Sequence, residues 1–261
     1  TNNLLYNEFC FSTCDKPAVA ERPAPFELVM AGYDLYKAFD TVFGNPASAE
    51  YTAEDKEVFT MRPAFAVKFD DYIALVSTAQ NQSDAHVSSG YVMAHYLKDG
   101  QVVGAWPQLG AGGGFGKPPD YSLRTGLLNY PTMMLQGDYT GQGYTMGWET
   151  LIEITPDGPQ MRAEVHTLED NSGAVMDDSR ICTVEGKVKP SRTDADSFYV
   201  DYRFTGALKG EDRTVEYRLN PESGEYVADE PFNPEACLDL IYGPEDGGYE
   251  DEADDPDGET E

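Results

Sequence analysis

The apolar pattern changes period early in the chain. Phe26, Val29, Tyr33 and Tyr36 recur at helical spacing, with Leu28, Leu35, Phe39 and Val42 on a neighbouring stripe. This predicts a helix over Phe26–Phe43 with a wide apolar face, ending before Gly44 and Pro46. A second, short helix is expected over Ala53–Phe59, with Thr52 as its N-cap and Asp55 completing a capping-box-like pair.

Beyond Pro63 the period becomes two. Phe65, Val67 and Phe69 alternate with other residues, and Tyr91–Lys98 and Gln101–Trp106 flank Asp99-Gly100, a strong two-residue hairpin signal. Asp157-Gly158 repeats the device between Thr150–Thr155 and Met161–Val165, and Ser223-Gly224 between Thr214–Leu219 and Tyr226–Ala228. Ile181–Val188 and Phe198–Thr205 supply two further strands. Hairpins at these intervals predict a mainly β fold, an antiparallel sandwich or barrel-like meander with one or two N-terminal helices. No clean repeat period supports a propeller.

Four segments follow. Residues 1–25 read as an arm, apolar at Leu4, Leu5, Tyr6, Phe9 and Phe11, then denied regular structure by Pro17, Pro23 and Pro25. Residues 26–62 read as a helical segment packed on the main domain, and residues 63–243 as the antiparallel β domain. Residues 244–261 form an acidic tail with ten acids and no base, a composition expected to be disordered.

Charge then narrows the partners. The chain of 261 residues carries 47 Asp and Glu against 18 Lys and Arg, a formal net charge of −29. Such a surface repels nucleic-acid phosphates and anionic lipid, so neither is an expected partner, whereas it favours cations, basic proteins or a salty environment. The longest apolar runs are far shorter than the roughly 20 residues a spanning helix needs. Four cysteines allow three pairings, and Cys10–Cys14 with Cys182–Cys237 suits an oxidising compartment. With Thr rather than Met at position 1, the chain reads as processed or trimmed, and the expected location is secreted or periplasmic.

Chemistry is sparse. Gly110–Lys117 is glycine-rich but fails both phosphate-loop patterns: Ala111 stands where a Walker loop needs glycine, and Pro118 where it needs a hydroxyl. A second stretch, Gly137–Glu149, again mixes glycine with rings. The two stretches suggest loops converging on a shallow groove lined by Trp106, Phe115, Tyr121, Tyr139, Tyr144 and Trp148, open to a sugar face or an exposed peptide. The alternative is that glycine marks bulges and bends while the rings fill the core.

No serine-nucleophile elbow and no H-E-x-x-H motif occurs, and His86, His95 and His166 show no metal spacing. His86 and His95 are nine apart, so on a continuous strand they face opposite sides. A zinc site of Cys10, Cys14 and a histidine lacks a second ligand pair. If the chain cleaves glycosidic bonds, Glu149 beside Trp148 and Asp120 beside Tyr121 are the candidate carboxylates, one of them raised in pKa by the adjacent ring. Calcium is the one candidate cofactor, with Asp170, Asp177 and Asp178 as possible ligands in an acidic turn and the tail acids as a second group. Asn81-Gln82-Ser83 fits the glycosylation sequon.

Three functions are compatible with these features. The leading reading is a non-enzymatic, extracytoplasmic binding or inhibitory module, with a protein (basic by charge complementarity) or a glycan as ligand. The others are a structural subunit that self-assembles by adding arm residues Leu4–Phe11 to a neighbour's sheet edge, and a secreted polysaccharide hydrolase.

Overall fold

The computed structural model describes residues 26–242 apart from 53–56, 84, 113, 193, 195 and 230–235. The arm, with Cys10 and Cys14, and the acidic tail lie outside the described residues.

The hairpin signals build two antiparallel sheets. The first orders β1 (Glu27–Val29), β3 (Val58–Lys68), β4 (Ile73–Asn81), β5 (Tyr91–Lys98) and β6 (Gln101–Ala111), with β2 (Ala49–Thr52) also beside β3. The second is an unbroken meander. It runs through β7 (Tyr121–Arg124), β8 (Thr132–Gly141), β9 (Tyr144–Thr155), β10 (Gly158–Asp170), β11 (Cys182–Pro190), β12 (Ser197–Gly206), β13 (Arg213–Leu219) and β14 (Tyr226–Ala228). Asp99 at φ 52° and Gly100 at φ 74° turn β5 into β6 with both central residues left-handed, as that hairpin requires.

The first helix, α1 (Tyr33–Phe43), begins later than its apolar period suggests. Glu27–Val29 pairs with Ala66–Lys68 instead, and Gly32 at φ 106° breaks the chain between strand and helix. Pairing to a sheet edge outweighs a helical period that Phe26 and Val29 only extend. The expected helix over Ala53–Phe59 is also corrected: Thr52 ends β2, Val58 and Phe59 open β3, and Tyr51 pairs with Phe59. Residues 53–56 of that expectation lie outside the described residues. Pro63 sits inside β3 at an irregularity between Pro63 and Phe65. Pro63 falls between Met61, where β2 stops pairing, and Ala66, where β1 begins, so that side of β3 has no partner strand there.

Burial divides into three clusters. Leu35, Ala38 and Phe39 of α1 pack on Phe59, Met61, Leu75 and Met93 of the first sheet. The other face of that sheet, through Phe65, Val67, Ala74, Val76, Val92, Ala94 and Tyr96, meets Met133, Leu135, Ile152 and Ile154 of the second. Covered on both sides, β4 and β5 are buried along most of their length. The third cluster joins Met134, Leu151, Ala163 and Val165 to Val184, Phe198, Val200, Tyr202 and Phe204. The fold is thus an antiparallel, sandwich-like pair of sheets.

His95 lies where α1 meets the first sheet, its ring 5.3 Å from that of Phe43 and edge-on to it. Burial holds the imidazole below its ordinary value of 6.5. Protons therefore bind the unfolded chain more readily, so this contribution is complete above about pH 6.5 and is lost as pH falls through that value. We expect His95→Leu to remove this acid-sensitive component. Between about pH 7.5 and about pH 5 the melting temperature of the native protein should fall relative to that of His95→Leu, and parallel curves would refute the assignment.

Candidate functional site

Glycine and aromatic residues interleave along β8 and β9 for a structural reason. Gly137 pairs with Trp148 across the hairpin, and a Cβ placed on Gly137 would fall 2.4 Å from Trp148 Cε2 and 2.5 Å from its Nε1. A Cβ on Gly141 would fall 2.3 Å from the Tyr139 hydroxyl oxygen. Both rings occupy the space a side chain would fill, and so lie over the backbone of the sheet. The stretch Gly137–Glu149 is accordingly a hairpin and not a loop, turned by Gln142 at φ 52° and Gly143 at φ 80°.

Strand alternation puts Gly137, Tyr139 and Gly141 on one face of β8, together with Trp148, the partner of Gly137 on β9. Trp148 in turn pairs with His166 on β10. Tyr139, Trp148 and His166 thus lie on three successive strands of one face, spanning about 10 Å across the sheet. Leu135 and Ile152, further along that face, are buried beneath the first sheet, whereas Tyr139 is 56 % exposed. Trp148 and His166 are half-buried. Alternation is not regular to the hairpin tip, since Tyr144 and Met146, the partners of Gly141 and Tyr139, pack into the third cluster; Tyr139, Trp148 and His166 form the candidate aromatic surface, or platform, on the uncovered part of the face.

The other predicted rings are elsewhere. Trp106 lies over Gly104 and Gly158 and packs 5.0 Å from Tyr96, whose hydroxyl donates to the Thr155 carbonyl at 2.7 Å. Thr155 is seven residues beyond Trp148 on β9, about 23 Å along the strand. Tyr121 packs against Phe65 at the rim of the core between the sheets. Tyr144 is buried, and its hydroxyl donates to Glu169 Oε1 at 2.5 Å. Phe115 stands alone on the loop after β6, 55 % exposed at φ 64°, against the edge of His86. Of the six, Tyr139 and Trp148 share the platform.

The glycines after β6 serve a different purpose. The Gly112 N–H donates to the Gly90 carbonyl, that of Phe115 to Ala85 and that of Gly116 to Ser88, at 2.8, 3.1 and 2.8 Å. A Cβ on Gly112, Gly114 or Gly116 would strike neighbouring carbonyl oxygens at 2.0, 1.9 and 2.3 Å. Close approach of two loops, and not a phosphate, requires glycine there. Asn81 is drawn into the same knot. It is 3 % exposed and its Oδ1 accepts the Ser83 N–H at 2.9 Å, which leaves the sequon amide inaccessible.

The candidate carboxylates turn away from the platform. Glu149 pairs with Gln136 and Val165, and alternation places it on the opposite face from Trp148. Burial raises its carboxyl above the ordinary range, partly countered by a Gln136 hydrogen bond and the charge of Arg124. Asp120 is exposed, and its carbonyl accepts the Gln136 N–H at 2.9 Å.

The candidate calcium ligands act locally. Asp170 Oδ1 accepts the Ser172 N–H at 2.8 Å, and Asp177 Oδ1 accepts the Ser179 N–H and hydroxyl at 2.9 and 2.7 Å. The Ser179 hydrogen bonds lower the Asp177 carboxyl below its ordinary value. Asp178 opens the short 3-10 turn that follows. Among the described residues no three His, Cys, Asp or Glu side chains converge as a metal-binding group. His86 rests on Phe115 and His95 on Phe43, so the two are not paired.

Two buried acids went unnoticed among so many. Glu153 Oε1 accepts the Tyr130 N–H at 2.7 Å, and its Oε2 accepts Arg162 Nε–H at 2.8 Å. Glu169 Oε2 accepts the Cys237 N–H at 2.9 Å, beside the disulfide Cys182–Cys237 that ties β11 to α2 (Ala236–Tyr242). One signal was available: Glu153 is the single charge in the apolar run Leu151–Ile154.

Compared with protein-family models, with curated proteins and with solved structures, the chain matches none of them. Among the described residues no helix is long and apolar enough to cross a membrane. The class of protein is therefore given by its architecture, a two-sheet antiparallel β fold that carries, among the described residues, the disulfide Cys182–Cys237.

Proposed function

We propose that this chain is an extracytoplasmic binding module whose ligand is an uncharged glycan, held on the Tyr139–Trp148–His166 platform. The observation that carries the reading is that two rings lie over glycine backbone on one face. Such rings present a flat apolar surface that suits the C–H face of a pyranose, and their orientation is set by the sheet before a ligand arrives. Charge favours a neutral sugar over an anionic polymer, since the chain is 29 negative. Binding is favoured over hydrolysis because Glu149 projects from the other face, out of reach of a sugar stacked on Trp148. The disulfide is in keeping with a secreted or periplasmic location.

Affinity electrophoresis through gels containing starch, xylan or galactomannan tests the proposal. Migration should be retarded by at least one of them. Tyr139→Ala and Trp148→Ala should each weaken that retardation by about tenfold or more, a loss of about 1.4 kcal/mol, while circular dichroism stays unchanged. Retardation that survives both substitutions, or retardation by none of the polymers, would refute the platform.

A further inference from the structure

The face that carries Trp148 does not end at His166. Beyond the irregularity between His166 and Leu168, Leu168 pairs with Glu185 on β11, and Glu185 pairs with Arg203 on β12. Val165, Val184 and Phe204 are buried in the third cluster, so their neighbours His166, Glu185 and Arg203 project from the opposite face. Trp148, His166, Glu185 and Arg203 thus form a row across four successive strands, about 14 Å from end to end. Glu185 and Arg203 are exposed and stand directly opposite each other. Among the described residues neither side chain has an ion-pair or hydrogen-bond partner, whereas Lys189 and Arg218 of the same sheet both hold carboxylates. His166 Nδ1 is buried without a partner, so the imidazole meets a ligand through Nε2. At the far end of the row a cavity of about 480 Å³ opens beside Arg203, bounded also by Thr205, Lys209 and Asp212.

We infer that this row is the polar continuation of the glycan site, so that the ligand is an oligosaccharide laid across β9–β12 and not a single sugar. The inference rests on the aromatic reading of Tyr139 and Trp148, and adds to it the length of the ligand and its polar contacts. A pyranose offers two kinds of surface, a C–H face and a rim of hydroxyls that each donate and accept. The Trp148 ring suits the first. The rim needs donors and acceptors side by side, and neighbouring strands supply them: the Arg203 guanidinium donates and the Glu185 carboxylate accepts. A closed salt bridge would occupy both groups, and here both are free. Their charges cancel, so the pair suits neutral hydroxyls; an anion would meet Glu185 and a cation Arg203. The distance from Trp148 to the cavity is longer than one pyranose ring, which sets a further unit of the chain beside Arg203 and Lys209.

Isothermal titration calorimetry of the full chain with malto-, xylo- and manno-oligosaccharides, from disaccharide to hexasaccharide, provides the test. In the series that binds, native affinity should rise by about tenfold or more from the shortest member to the longest. Arg203→Met and Glu185→Ala, both at exposed positions, should leave disaccharide binding unchanged and abolish that rise, while Trp148→Ala removes binding throughout. Lys117→Met loses the same charge as Arg203→Met, but on the exposed loop after β6, and should keep the native dependence on length. Equal native affinity for short and long members would overturn the row. So would a rise that survives in Arg203→Met and Glu185→Ala, or one that is lost in Lys117→Met. In each of these cases, loss of binding in Trp148→Ala leaves the aromatic surface standing. Binding of no series at all would refute the aromatic surface itself, and the row with it.

Discussion

Replacing Cys237 with serine should lower the free energy of unfolding by about 4 kcal/mol, the chain-entropy value for a loop of this length. The bridge joins cysteines 55 residues apart and fastens α2 against the second sheet. That is a large share of the roughly 5–15 kcal/mol that holds a typical domain folded. The loss would also be felt locally. The Cys237 N–H donates to Glu169, and the Asn171 amide donates to the Cys237 carbonyl at 3.2 Å. Once α2 pulls away, a carboxylate 1 % exposed loses a donor. Amide exchange should therefore rise first in Ala236–Leu240 and next around Glu169 and Asn171. Urea unfolding with and without reductant measures the effect, and Cys182→Ser/Cys237→Ser should cost no more than Cys237→Ser alone. A difference below about 1 kcal/mol would show that the helix is held by its packing.

Glu153→Ala should cost about 3 kcal/mol, near the lower end of the range for breaking a buried ion pair. Glu153 is 2 % exposed and accepts from both Tyr130 and Arg162. Arg162 also donates through Nη1 to the Gly224 carbonyl at 2.7 Å, so one guanidinium joins β9, β10 and the loop before β14. Its side chain is 21 % exposed, and water screens the stranded cation in part, which keeps the cost from the top of the range. Glu153→Gln keeps an acceptor for the Tyr130 N–H and should lie between Ala and the native residue. Chemical unfolding of the three proteins supplies the order, and equal stability of Ala and native would refute the role.

Legibility in the sequence followed the range of the interaction. Asp99-Gly100 set its hairpin because its backbone demands are local, and Tyr91–Lys98 and Tyr226–Ala228 were read to the residue. Phe26–Val29 was misread because its fate depends on pairing with Ala66–Lys68, some forty residues away. Gln142-Gly143 was passed over because the surrounding glycines look like loop until the rings that cover them are placed. Cys182–Cys237 was one pairing of three until the fold brought their Cα atoms to 5.8 Å. The platform was half legible: Tyr139 and Trp148 were both singled out, but the shared face emerges only from the β8–β9 register. Glu149 and Trp148 show the converse, adjacent in sequence and opposed in space.

Trp148 offers the most direct test of glycan binding, because the chain holds two tryptophans and the other, Trp106, packs over Gly104 and Gly158, away from Tyr139 and Trp148. In Trp106→Phe, fluorescence comes from Trp148 alone. Titration with the neutral polysaccharide that retards the native protein should give a saturable blue shift and intensity change, as a sugar face displaces water from the indole. An unchanged Trp148 spectrum, in a folded protein that still binds the polymer, would contradict the platform as the site.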